Sequence, residues 1–145
     1  MFENQRRVVA RHGHPLSHAT SFAELADAQW LRPATAERNT EGDFEDSLAQ
    51  FGLTKPKIYL QSRSALITML TVANTDLLTV VPQQWIDSPI TGALVAAFNL
   101  PPFRAAPICI VRRPDMPLTP MAEYLCDMMR RAGVQYAHRL EGGAG

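Results

Sequence analysis

Leu77-Leu78-Thr79-Val80-Val81 is a nearly continuous apolar run closed by Pro82. A strand that alternates apolar and polar residues has one wet face. A run this uniformly apolar needs cover on both faces, which is the situation of a strand inside a parallel sheet flanked by helices. The rest of the chain supplies such partners in alternation. Arg6 to Arg11 leans towards strand and ends at Gly13-His14-Pro15. Trp30 to Pro33 and Lys57 to Ser62 are further short strands, and Leu94 to Phe98 is a weaker one.

Helices fill the intervals. Ser21 and Glu24 have capping-box spacing ahead of Phe22, Leu25 and Ala26. Thr40 is placed to cap a helix carrying Phe44, Leu48 and Phe51, stopped by Gly52. Ser64 to Asn74 forms another, with Leu66, Met69, Leu70 and Ala73 expected on its inner face, and Pro82 opens a short one through Trp85 and Ile86. After the linker Leu100-Pro101-Pro102, a strand is expected over Ala106 to Val111. A last helix follows, with Thr119 as N-cap, Pro120 as its first residue, Met121, Leu125, Met128, Met129 and Ala132 as its stripe, and Gly133 as its stop. This order reads as an α/β fold with a mostly parallel sheet.

Composition narrows the functional classes. The 145 residues are 46% hydrophobic, enough to build a core, and their 14 basic and 14 acidic side chains cancel. A DNA-binding surface needs an excess of positive charge, which this balance does not provide. Residues 1 to 11 carry charges where a signal peptide has an apolar core, and Leu66 to Ala73 and Ile90 to Phe98 are too short to cross a bilayer. A soluble cytoplasmic protein without membrane contact is expected. Cys109 and Cys126 sit in apolar patterns and are expected to be buried thiols of a reducing compartment.

Several stretches in order resemble the effector-binding domain of LysR-type transcriptional regulators. They are Val8-Val9-Ala10-Arg11-His12-Gly13-His14-Pro15-Leu16, Phe22 to Asp27 with Trp30, Phe51-Gly52-Leu53, Ala73 to Pro82, and Ile108 to Arg113 with Asp115 to Pro120. The resemblance implies a periplasmic-binding-protein-like (type 2) fold of two lobes around a cleft. It makes residues 6–99 the second lobe. Residues 100–133 become the crossover, return strand and C-terminal helix of the first lobe, and 134–145 a flexible tail. It also implies that the family's winged helix-turn-helix, linker helix and first half of lobe one are missing here. DNA binding then belongs to the missing N-terminal domain, and the partners are a small-molecule effector and either further copies of the chain or an intact regulator.

Parallel sheets place ligands at the carboxyl ends of their strands. Two such ends are Arg32-Pro33-Ala34-Thr35 and Ser62-Arg63-Ser64. The second meets a helix N-terminus, where free N–H groups and the helix dipole favour an anion. Ser62 and Ser64 can add hydrogen bonds, and Arg32 can grip a carboxylate or sulfonate through its two-pronged guanidinium. Pro33 and Thr35 complete the set, with Thr35 on a polar loop. The same serines can equally act only as helix caps, and Arg32 as a solvated charge.

Other clusters carry less. His12, His14 and His18 invite a metal, yet no fitting carboxylate or cysteine accompanies them, and no metal or other cofactor is expected. Glu41, Asp43, Glu45 and Asp46 crowd one helix start, a placement that suits the dipole and reads as a solvated face. No phosphate loop, nucleophile elbow or Cys-His pairing is present, so an enzyme is not expected. The expected function is effector sensing. The alternatives are a stand-alone solute-binding protein and a dominant-negative partner that dimerises with an intact regulator.

Overall fold

A computed structural model of the protein describes residues 2–33 and 40–142. It contains two compact units, Gln5–Phe103 and the paired segments Met1–Asn4 and Arg104–Gly145. The strands are β1 (Phe2–Ala10), β2 (Gln29–Pro33), β3 (Lys57–Ser62), β4 (Thr79–Pro82), β5 (Ala96–Ala97) and β6 (Phe103–Ile108). The helices are α1 (Thr40–Ala49), α2 (Ala65–Ala73), α3 (Gln83–Asp87) and α4 (Pro120–Gly142), with one 3-10 turn at Phe22–Leu25.

Strand β1 runs antiparallel to both β4 and β5, with Val8 opposite Val80 and Ala10 opposite Ala96, and β6 also pairs with it. Parallel pairing joins β2 to β3. It continues into the segment before β4, where Leu31 N–H donates to the Leu78 carbonyl at 2.8 Å and Leu78 N–H to the Gln29 carbonyl at 2.9 Å. The apolar run 77–81 is therefore paired on both sides, as its composition requires, although only its second half meets the definition of a strand.

Adjacent residues of these strands feed two separate apolar clusters. Val8, Trp30, Leu78 and Val80 join Phe22, Leu25, Phe44, Leu48 and Phe98 in one. Val9, Leu31, Leu77 and Val81 join Met69, Val72 and Val95 in the other. In the first, Phe22 stacks on Phe51 at 4.3 Å, both meet Phe103 edge-on, and Trp30 meets Phe44 edge-on at 5.9 Å. Helix α1 is held by Phe44 and the fully buried Leu48, and ends where Gly52 adopts φ +88°, a conformation an L side chain resists. It begins at Thr40 itself, one residue earlier than a Thr40 cap allows.

The expected inner face of α2 is corrected. Thr68, Met69 and Val72 are buried, while Leu66 is 64% and Leu70 45% exposed. Seven of the nine residues in this helix are apolar, so periodicity does not choose a face and packing against the sheet does. Strand β6 starts three residues before the expected Ala106, anchored by buried Phe103, and Val111 is exposed. The cysteines, expected to be buried, are free thiols, Cys109 exposed and Cys126 half-buried.

Helix α4 begins as expected, with Thr119 Oγ1 accepting from Ala122 N–H at 3.3 Å and Pro120 as first residue. It does not stop at Gly133 but continues to Gly142, so residues 134–142, expected as tail, are helical. One glycine costs a helix about 1 kcal/mol, which the good helix formers on either side outweigh. The expected stripe is exposed: Met121 at 76%, with Leu125, Met128 and Met129 also open.

His12 and His14 are held by backbone groups. His14 Nδ1 accepts from Leu16 N–H at 3.0 Å, which leaves Nε2 to donate to the Asp76 carbonyl at 3.1 Å. His12 Nε2 lies 3.2 Å from the Ala93 carbonyl. Arg11 pairs with Asp76 at 2.7 Å and donates to the carbonyls of His12 and Gly13, which fixes the turn that Gly13 opens at φ +67°.

Two predictions arise from these elements. The exposed α4 stripe drives self-association, so sedimentation at increasing concentration shows oligomers, and replacing Met121, Leu125 and Met128 by glutamine shifts the distribution towards monomer. At the 3-10 turn, Glu24 Oε1 accepts from the Ser21 hydroxyl at 2.8 Å and from the N–H groups of Ser21 and Thr20 at 3.0 and 3.1 Å. The Ser21 hydroxyl first, then Thr20 N–H, hold this carboxyl below its ordinary value of 4.5. A lowered folded-state value means the ionised group stabilises above the ordinary value and loses that effect as pH falls through the folded one. E24Q therefore melts below the wild type at pH 7, and the gap closes below pH 4.5.

Candidate functional site

Strands β2 and β3 run in the same direction, so their carboxyl ends emerge side by side. Pairing begins at Gln29–Lys57 and Trp30–Ile58, then shifts, so that Leu31 faces Leu60, Arg32 faces Gln61 and Pro33 faces Ser62. Tyr59 is the extra residue, a bulge in β3. Lys57 Nζ reaches Asp27 at 2.6 Å and ties the start of β3 to the chain entering β2. That hydrogen bond, and then the lysine charge, hold the Asp27 carboxyl below its usual range.

At the far end of the pair, Ser62 hands over to α2. Its hydroxyl donates to the Ser64 carbonyl at 3.2 Å and accepts from Ser64 N–H at 3.3 Å. Ser64 has extended backbone angles, φ −106° and ψ 124°, and its hydroxyl accepts from Ile67 N–H at 3.4 Å, making it the N-cap. A hydroxyl that accepts a cap bond keeps its own proton to donate. Both serines are half-buried, and Arg63 between them is exposed.

Arg32 is placed differently from the open grip expected of it. Its side chain is 15% exposed; Nη1 donates to Glu45 Oε1 of α1 at 3.2 Å and Nη2 to Gln61 Oε1 at 2.8 Å. The register thus sets Arg32 beside Gln61 and Pro33 beside Ser62, while the Arg32 side chain turns to α1 and Ser62 and Ser64 stand at the start of α2. Thr35 lies outside the described residues.

Gln61 and Glu45 are the additions. Gln61 is legible once the β3 register is known, since it stands opposite Arg32. Glu45 belongs to the acidic start of α1 that reads as a solvated face, and its partnership needs the tertiary fold. Among the described residues no group of three or more His, Cys, Asp or Glu is arranged to hold a metal, and no helix is long and apolar enough to cross a membrane.

The fold is that of a mixed α/β domain with a parallel β2–β3 pair, and comparison with known proteins narrows its class. The LysR substrate binding domain family matches residues 1–133. Among solved structures, the regulatory domain of Synechocystis CcmR in complex with 2-PG superposes with a TM-score of 0.66 at 14% identity, over 91% of this chain and 64% of that one. The effector binding domain of QuiR in complex with shikimate gives 0.61 at 14% identity, over 92% and 63%. The probable transcriptional regulator PA0477 of Pseudomonas aeruginosa gives 0.56 at 22% identity, over 71% of this chain and 36% of its own. The chain spans less than two thirds of each of these structures. It belongs to the LysR substrate-binding domain family, a family of transcriptional regulators, and has the periplasmic-binding-protein-like type 2 fold.

The geometry predicts a modest structural cost at the cap. Ser64→Ala removes the bond to Ile67 N–H and lowers unfolding free energy by about 0.5–1 kcal/mol, measured by urea denaturation.

Proposed function

We propose that this chain is the effector-sensing portion of a LysR-type regulator and takes a small anion at Arg32, Pro33, Ser62 and Ser64, with Thr35 two residues beyond Pro33. The observation that carries this is the β2–β3 register, which sets Arg32 and Pro33 beside Gln61 and Ser62 at the N-terminus of α2. The serine hydroxyls and first-turn amides stand at the start of α2, and Arg32 lies near the end of the neighbouring strand; each of these groups favours negative charge. The ligands of two fold relatives, shikimate and 2-PG, make a small effector reasonable for the same fold; shikimate is itself a cyclic carboxylate. An aromatic or cyclic acid suits the mixture of Pro33 and polar groups.

In this reading the effector acts by binding one conformation of the regulator more tightly than another, which shifts the population and so the presentation of DNA-reading heads in an oligomer. Those heads lie elsewhere in the regulator, and the balanced charge of this chain is consistent with a part that does not itself hold DNA. The setting is the cytoplasm, and no catalytic step is involved.

A thermal-shift series with shikimate, benzoate and benzenesulfonate tests the site. At ten times Kd, binding adds about 1.4 kcal/mol, a rise of roughly 3–6 °C. The shift should shrink in Ser62→Ala and Ser64→Ala. The absence of any shift at millimolar ligand would count against binding by this chain.

A further inference from the structure

Gln84 carries a buried hydrogen-bond donor that the fold does not use. We propose that Gln84 is a further ligand-binding residue, whose side-chain N–H donates to an oxygen that an acidic effector carries on the side remote from its acid group. This inference rests on the proposed site at Ser62 and Ser64 and adds to it a group that selects among acids.

Strands β2 and β3 and the 77–82 run point the same way, so Pro33, Ser62 and Pro82 end on one side of the sheet. Helix α2 connects β3 to β4 and packs Met69 and Val72 into the apolar cluster that also receives Trp85 and Ile86 of α3. The two helices therefore cover the same face. Ser64 opens α2 at the end of β3, and Gln84 stands just past the end of β4. With β2 between those strands, the two ends are about 10 Å apart, two strand spacings. The ladder between β2 and the 77–82 run is a single bridge at Trp30–Leu78, after which the Leu31 carbonyl accepts from the Thr79 hydroxyl, so pairing stops short of Pro33 and Pro82.

Gln84 Nε2 is buried and has no hydrogen-bond partner among the described residues. Its neighbour Gln83 shows the contrast: Oε1 accepts from Arg7 Nε at 2.8 Å and Nε2 donates to Asp87 at 2.7 Å. A buried donor left unpaired opposes folding, and native proteins keep few without a use. Trp30 Nε1 is also unpartnered, but it lies in the other cluster, edge-on to Phe44. With the acid group of an effector at Ser62, Ser64 and the first-turn amides of α2, a hydroxyl across the ring is placed to accept from Gln84. A bare ring acid lacks that oxygen and leaves the donor unpaired, the kind of difference that a hydrogen-bonding site discriminates.

The test is a calorimetric titration of the full chain with benzoate and 4-hydroxybenzoate, using wild type and Q84M, which keeps the length of the side chain and removes the donor. Wild type is expected to bind 4-hydroxybenzoate about fivefold more tightly than benzoate. In Q84M the two acids should bind alike, with the benzoate Kd of wild type. Ligand-free Q84M should melt no lower than wild type, because the donor it lacks had no partner in the fold. A preference that survives in Q84M overturns the proposal, as does an equal loss of both acids or a fall in the melting temperature of ligand-free Q84M. Q84L repeats the test if Q84M folds poorly. Benzoate binding that is lost in Ser62→Ala and Ser64→Ala, with no preference for the hydroxylated acid in wild type, removes Gln84 and keeps the site. No binding by any variant at millimolar ligand removes both.

Discussion

Burial of both faces of β1, β2 and the 77–81 run is the constraint on which the larger unit depends. Neighbouring residues point into different clusters: Val8 and Val9, Trp30 and Leu31, Val80 and Val81. A strand in this position has no wet face on which to place a polar group. Thr79 shows what is required when one occurs, since its buried hydroxyl donates to the Leu31 carbonyl at 2.9 Å. The same double cover fixes β2 along its length, so that its last residues, Arg32 and Pro33, emerge at a defined place. The site inherits its position from the core.

Much of this was legible because local chemistry and tertiary packing agree. Lys57–Ser62 is the strand its pattern implies, Ser64 caps α2, Thr119 and Pro120 open α4, and Gly52 closes the chain after α1. What was not legible has a physical cause in each case. After Phe2, β1 runs through polar Glu3 to Arg7 with no apolar pattern, and its strand conformation comes from pairing. Helix α2 is apolar nearly all round, so nothing in its sequence distinguishes Met69 and Val72 from Leu66 and Leu70. Gly133 looked like an end because glycine favours one, yet a single unfavourable residue does not break a helix of 23.

The candidate site divides in the same way. Position at a strand end is a topological property, and alternation of strands and helices exposes it in the sequence. The state of Arg32 is a tertiary property. Among the described residues a carboxylate thirteen residues later and a glutamine on the neighbouring strand engage that charge, and neither reveals its partner by spacing. Arg32 is therefore already ion-paired within the fold.

The bulge at Tyr59 has a consequence for how the corner tolerates change in chain length. Up to Ile58 the two parallel strands keep one offset; after Tyr59 they keep another, longer by one residue. Only the second offset sets Gln61 against Arg32 and Ser62 against Pro33. Strand geometry has a period of two, so regular pairing of the same residues, with Tyr59 in the ladder, would set Leu60 against Arg32 and Gln61 against Pro33 and turn each to the opposite face. The bulge thus takes Tyr59 out of the ladder, and a chain lacking this one residue would reach the same pairs, Gln61 with Arg32 and Ser62 with Pro33, on a regular strand, while the hydrophobic layers behind it stayed as they are.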